Sequence, residues 1–213
     1  SHNIGSHVLT RLREVSENEV SNESIRHFLG YLQKRMDFLA HISTTVPNWT
    51  SDIKFKEIIK YFESQICLLD YICKFKGLTS TNIKFKCSKL TDDIEVSIPT
   101  GEVGSQAFYV ILENIIRNAA KYSYENGDLE YTIAIQDYDI DMYEVTLVDN
   151  LKSTAAGLVQ DINDILSEKL IDKKGIVIQK HWGMQEMKIA ASYLRLLPAQ
   201  SIEAELSLSL LEG

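Results

Sequence analysis

The sequence predicts an α+β protein: an N-terminal helical hairpin, followed by a sandwich with helices layered on one face of a mixed sheet. Three observations predict it. From residue 25 the apolar positions Ile25, Leu29, Leu32, Met36 and Leu39 alternate steps of four and three, the spacing of a helical-bundle seam. In the middle of the chain, Val110, Ile111, Ile115, Ile116 and Ala119 mark another long helix. On either side lie alternating runs: Leu129, Tyr131, Ile133 and Ile135; Tyr143, Val145 and Leu147; and Ile202 to Leu210. Strict alternation is the pattern of a strand with one covered face.

Taken in order, Ser1 to Ser16 carries Ile4, Val8, Leu9, Leu12 and Val15, which fits one amphipathic helix; the polar run Glu17 to Glu23 interrupts it. The helix that follows has its stripe widened by Phe28 and Ile42. A helical hairpin buries only one side of each helix, so two copies packed as a homodimeric four-helix bundle are expected over residues 1–48. Pro47 and the polar Asn48 to Ser51 mark a linker into a second domain, 49–213. Ser51 or Asp52 is expected to cap a helix that keeps its period from Phe55 to about Phe75. Gly77 to Ser80 breaks it, and Asn82–Cys87 and Ile94–Ile98 read as short strands. The long central helix starts near Val103 or Gly104, and Asn126-Gly127 signals the turn after it. Two strands joined around Tyr138 to Asp141 follow, then a helix over Leu158–Leu170, a helix opening near Gly183, and a final strand after Pro198.

At 213 residues, 45% hydrophobic and 24% charged, the composition is that of an ordinary globular protein. A net charge of -8 and a pI of about 5.2 work against nucleic-acid binding, which rests on phosphate neutralisation. Cys67, Cys73 and Cys87 have no CxxC spacing and read as reduced, mostly buried thiols of a cytoplasmic protein. No apolar run reaches the roughly twenty residues that span a bilayer, and the N-terminus is not a signal peptide, so no membrane insertion is expected of this segment. The chain opens without Met inside a helical pattern, which suggests the cytosolic portion of a longer protein, whether or not that protein is membrane-anchored.

Chemistry concentrates in the central helix. Asn114, Asn118 and Lys121 fall at steps of four and three and stack on one side. Such a stripe is either a solvated face or a site for a cation and phosphates, because carboxamide oxygens suit Mg²⁺ and an ammonium suits phosphate oxygens. Asp149-Asn150 ends the second long strand and is either a plain turn or a ligand contact.

The stretch ENIIRNAAKYS, Glu113 to Ser123, resembles the N-box of the histidine kinase catalytic domain, the GHKL type of ATP-binding fold. The resemblance implies that Asn118 holds the Mg²⁺ bridging the phosphates of ATP. It implies that Asn114 and Lys121 line the phosphate region, with Tyr122 in the same box. SHNIGSHV at the N-terminus resembles that family's H-box, which makes His2 the phosphoacceptor and leaves Asn3 to orient its ring. Here Asn3 stands in place of the usual acidic residue and His7 in place of the usual Pro. Asp149 resembles the Asp that binds the adenine amino group, and Gly183-Met184 resembles the Gly-Leu opening a helix whose backbone N–H groups face the phosphates. Where the family has further glycines after that Asp, this chain has Leu151 and Ser153.

The function so implied is a two-component sensor kinase core that autophosphorylates on His2 with ATP and Mg²⁺ and passes the phosphoryl group to an Asp of a response-regulator receiver domain. Two alternatives stand beside it. One is a degenerate kinase that dimerises and signals with little or no ATP turnover. The other is a conformational ATPase, which in the related families has Glu where Asn114 stands.

Overall fold

The computed structural model describes helical positions 22, 25, 26, 29, 30, 32, 33, 35, 36 and 38, then residues 50–66, 78–87, 93–99, 102–122, 127–151, 156–168, 181–197 and 206–209. After those helical positions come β1 (Thr50–Lys54), α1 (Phe55–Gln65), β2 (Ile83–Cys87), β3 (Glu95–Pro99) and α2 (Glu102–Tyr122). The order continues with β4 (Leu129–Asp139), β5 (Met142–Asp149), α3 (Ala156–Ser167) and α4 (Trp182–Leu194). This is a mixed α+β fold. The chain divides into two compact units, one holding Thr50–Ile98 and Ile115–Thr154, the other the rest, so that one division falls inside α2 just after Asn114. The expected first helix over Ser1 to Ser16 lies outside the described residues.

The unit that opens at Thr50 is built on a three-stranded sheet ordered β2-β4-β5, with β1 and β3 forming a separate two-stranded sheet. β2 runs parallel to β4 with Ile83 opposite Leu129, and β4 runs antiparallel to β5 with Ile133 opposite Leu147. Alternation decides which face of β4 is covered: Leu129, Tyr131, Ile133 and Ile135 are buried while Thr132, Ala134 and Gln136 are exposed. The β4–β5 hairpin turns at Asp141, whose φ of 60° is a left-handed conformation that Asp tolerates better than most residues.

α1 buries Phe55, Ile58, Ile59 and Phe62 along one stripe. Phe62 meets Phe85 edge-on at 5.4 Å, and Phe85 stacks on Tyr131 at 5.7 Å, so helix, parallel strand and central strand share one aromatic run. Thr50 to Lys54, expected to cap that helix from Ser51 or Asp52, is instead a strand. Phe55 N–H donates to the Ile94 carbonyl at 2.9 Å, and Asp52 accepts from the Ser97 hydroxyl, so the cap groups are spent on the neighbouring chain. Lys54 sits at the cap position with no side-chain cap.

In the other unit, α2 is buried on every side from Gly104 to Asn114. Tyr193 of α4 meets Phe38 edge-on at 6.1 Å, and α4 also buries Met187, Ala190 and Ala191. Leu208, expected in a final strand, is described without regular structure: the Asn163 side chain donates to its carbonyl and accepts from its N–H, both at 2.8 Å. One carboxamide thus does for Leu208 what a paired strand would have done.

The shared aromatic run makes Phe62 the residue to probe. Phe62→Ala should lower the unfolding free energy by about 3–5 kcal/mol, the cost of a large core cavity, measured by urea denaturation.

Candidate functional site

α2 carries three of the residues singled out in the sequence, and their surroundings differ. Asn114 is 2% exposed. Its Nδ2 donates to the Val110 carbonyl one turn back at 2.9 Å and reaches the Glu186 carboxylate at 3.4 Å, a long contact that adds little to the first. Asn118 is half-buried and Lys121 exposed, while Ile116, Ala119 and Ala120 fill the core face of the same turns. Steps of four and three keep all three residues on one side of the helix, but only its C-terminal end brings that side toward water.

Asn114 belongs to a buried polar cluster. Arg35, 2% exposed, bridges Glu113 at 3.3 Å and Glu186 at 2.5 Å. Trp182 Nε1 donates to the other oxygen of Glu186 at 3.0 Å. Glu113 and Glu186 are 0% and 3% exposed, so the guanidinium carries most of the offset against their desolvation. Removing Arg35 would take the guanidinium from two buried carboxylates, a loss of about 3–5 kcal/mol in comparable pairs. Gly183 closes this cluster: a Cβ there would lie 2.6 Å from Asn114 Oδ1. Only glycine lets the first turn of α4 approach that carboxamide so closely.

Among the described residues no side chain caps the N-terminus of α4. His181, at φ 57°, occupies the cap position with no side-chain hydrogen bond, and the first turn holds no acidic residue. The Met184 and Gln185 amides turn back to the His181 carbonyl, whereas no described residue accepts from the Trp182 and Gly183 amides. Unmatched N–H groups at the positive end of a helix attract anions. Farther along α4, Lys188 is buried and donates to the Glu168 carbonyl; burial pushes its ammonium below the ordinary value, with the nearby Glu168 charge opposing.

Asp149 ends β5 in the other unit. Its carboxylate accepts from the Leu151 N–H at 3.1 Å, an Asx turn that tightens the chain where the further glycines would have stood. Partial burial raises its carboxyl above the ordinary 3.8, and the Leu151 bond pulls the other way. The residue keeps an exposed surface, so solvent screens much of this shift. Asn150 is a clamp: its side chain accepts from the Glu130 N–H at 3.0 Å and donates to the Asp128 carbonyl at 2.9 Å, tying the end of β5 to the start of β4.

His2 and Asn3 lie outside the described residues, as does the side chain of Tyr122. Arg35, Trp182 and Glu186 were not legible as site residues, although Trp182 and Glu186 stand one helical turn apart. Among the described residues no group of three His, Cys, Asp or Glu side chains could hold a metal ion. A Mg²⁺ held by phosphates and water needs little protein donation, and the half-buried Asn118 carboxamide fits that requirement. No protein-family model matches the chain, and no curated protein sequence matches it.

The raised Asp149 carboxyl has a pH consequence. Its native state keeps a proton that the unfolded state has lost, so its contribution is in full force below pH 3.8 and disappears as pH climbs through the raised value. Asp149→Asn, which preserves the turn acceptor, should therefore gain stability relative to the parent as pH rises through that window, read from thermal melts between about pH 3 and 7.

Proposed function

We propose that this chain is the core of a protein histidine kinase of two-component signalling. What carries the proposal is the last turn of α2: Asn118 and Lys121 leave the core together, within the stretch that resembles the family's N-box. Asn118 would hold Mg²⁺, Lys121 would neutralise phosphate oxygens, and Asp149 would accept from the adenine amino group. Together ATP and Mg²⁺ supply the activated γ-phosphoryl group. The protein positions it and neutralises charge, and His2 offers an imidazole nitrogen to phosphorus, losing its proton as the bond to the β-phosphate oxygen breaks. An Asp of a receiver domain then takes the phosphoryl group. The finer fold reading is of the same kind: a GHKL-type sandwich after a dimeric hairpin, working in the cytoplasm.

Homodimerisation draws support from the N-terminal helical positions. Leu29 is 56% and Met36 59% exposed, two turns apart on one face, with Leu32 between them. An apolar stripe in that position suits a second copy of the hairpin.

A second reading is favoured by one observation. Asn114 and Gly183, both assigned to the phosphate region by resemblance, are engaged with each other and with a buried ion pair. That arrangement suits a degenerate kinase which signals through helix packing.

Incubation with γ-labelled ATP and Mg²⁺ separates the readings. The kinase should acquire acid-labile label that disappears in His2→Gln; unlabelled parent protein, or label indifferent to that substitution, contradicts it. Leu29→Glu/Met36→Glu should shift the protein from dimer to monomer in sedimentation without unfolding it, since both side chains are exposed in the single chain.

A further inference from the structure

We propose that Glu186 is an intramolecular competitor for phosphoryl ligands: its carboxylate occupies a set of donors at the Asn114 part of α2 that an oxyanion of a nucleotide would otherwise use. The inference rests on the nucleotide-binding reading above and adds a means of regulating that site.

Three kinds of donor converge on this one carboxylate. Arg35 approaches one oxygen at 2.5 Å, and the Asn114 carboxamide reaches the same oxygen at 3.4 Å. Trp182 Nε1 takes the other at 3.0 Å. A guanidinium, an indole N–H and a carboxamide N–H are also what a phosphate group recruits, since both anions present oxygens to charge-assisted donors. Glu186 therefore fills the cluster as a tethered anion. It also repels any second one, because a phosphate oxygen approaching Asn114 would meet a carboxylate in surroundings too dry to screen it.

A second observation indicates that this closed arrangement is one of two. Gln185, beside Glu186 and 1% exposed, has both atoms of its carboxamide without a hydrogen-bond partner among the described residues. A buried amide left unpaired on both sides costs free energy that a different setting of the same helical turn would recover. Glu186, Gln185, Trp182 and Gly183 all lie in the first turn and a half of α4, so a shift there moves the carboxylate, the orphaned amide and the open N–H groups together. Arg35 keeps Glu113 as a partner when Glu186 leaves, so the opening strands no guanidinium.

The test is affinity in Glu186→Gln, which removes the charge, keeps the shape and leaves an acceptor for Trp182. Titration with a fluorescent non-hydrolysable ATP analogue plus Mg²⁺, and separately with inorganic pyrophosphate, should show binding about tenfold tighter than the parent. Glu186→Ala, which removes the competing carboxylate and leaves Arg35, Trp182 and Asn114 in place as donors, should move affinity in the same direction, and it decides the matter if Glu186→Gln does not fold. Parent protein that binds the analogue with no gain in a folded variant overturns this inference alone. An absence of binding by the parent and by both variants overturns it together with the ATP reading.

Discussion

A guanidinium removed from water must be met by anions, and Arg35 meets two. Its bridges to Glu113 and Glu186 join the N-terminal helical positions to α2 and α4, three elements far apart in the chain. Such a cluster adds little net stability, because desolvation consumes most of the Coulombic gain. What it contributes is register. Hydrophobic burial would let Phe38, Tyr193 and the α2 residues slide by part of a turn at small cost, whereas a buried ion cluster limits them to the few settings in which its charges stay paired. Asn114 and Trp182 contact that cluster and Gly183 lies against Asn114, so the proposed phosphate region shares its donors with an ion pair inside the protein.

Much of the fold could be read from periodicity. β4 and the last two turns of α2 follow their apolar patterns closely, because there a single face decides burial and neighbours in sequence decide the face. β1 could not be read so. Its pairing with β3 depends on a segment about forty residues away, and Asp52 gives its carboxylate to Ser97 instead of to a helix cap. At the N-terminal helical positions the seam residues Leu29 and Met36 are exposed, whereas Arg35 and Phe38 are buried. Sequence reading favours the apolar face for burial, and a buried arginine is invisible to it until the opposing carboxylates are located.

The candidate site divides along the same line. Asn118 and Lys121 lie toward the C-terminal end of α2, half-buried and exposed, and Asp149 ends β5. Gly183 shows a different logic. A glycine assigned to nucleotide approach lies against the Asn114 side chain, and the need for a bare Cα arises within the protein itself. Asn150, adjacent to a candidate ligand residue, is fully accounted for as a strand clamp. The structural role of such a polar residue is decided only once its hydrogen bonds are known.

In the proposed kinase the carboxamide of Asn118 and the ammonium of Lys121 would meet a magnesium-bound triphosphate at the end of α2. The most direct measurement is a structure determined with a non-hydrolysable ATP analogue and Mg²⁺. It should place the metal within coordination distance of Asn118 Oδ1, with phosphate oxygens in reach of Lys121 Nζ. An analogue seated elsewhere, or both side chains directed into solvent with the metal beyond their reach, would contradict the account.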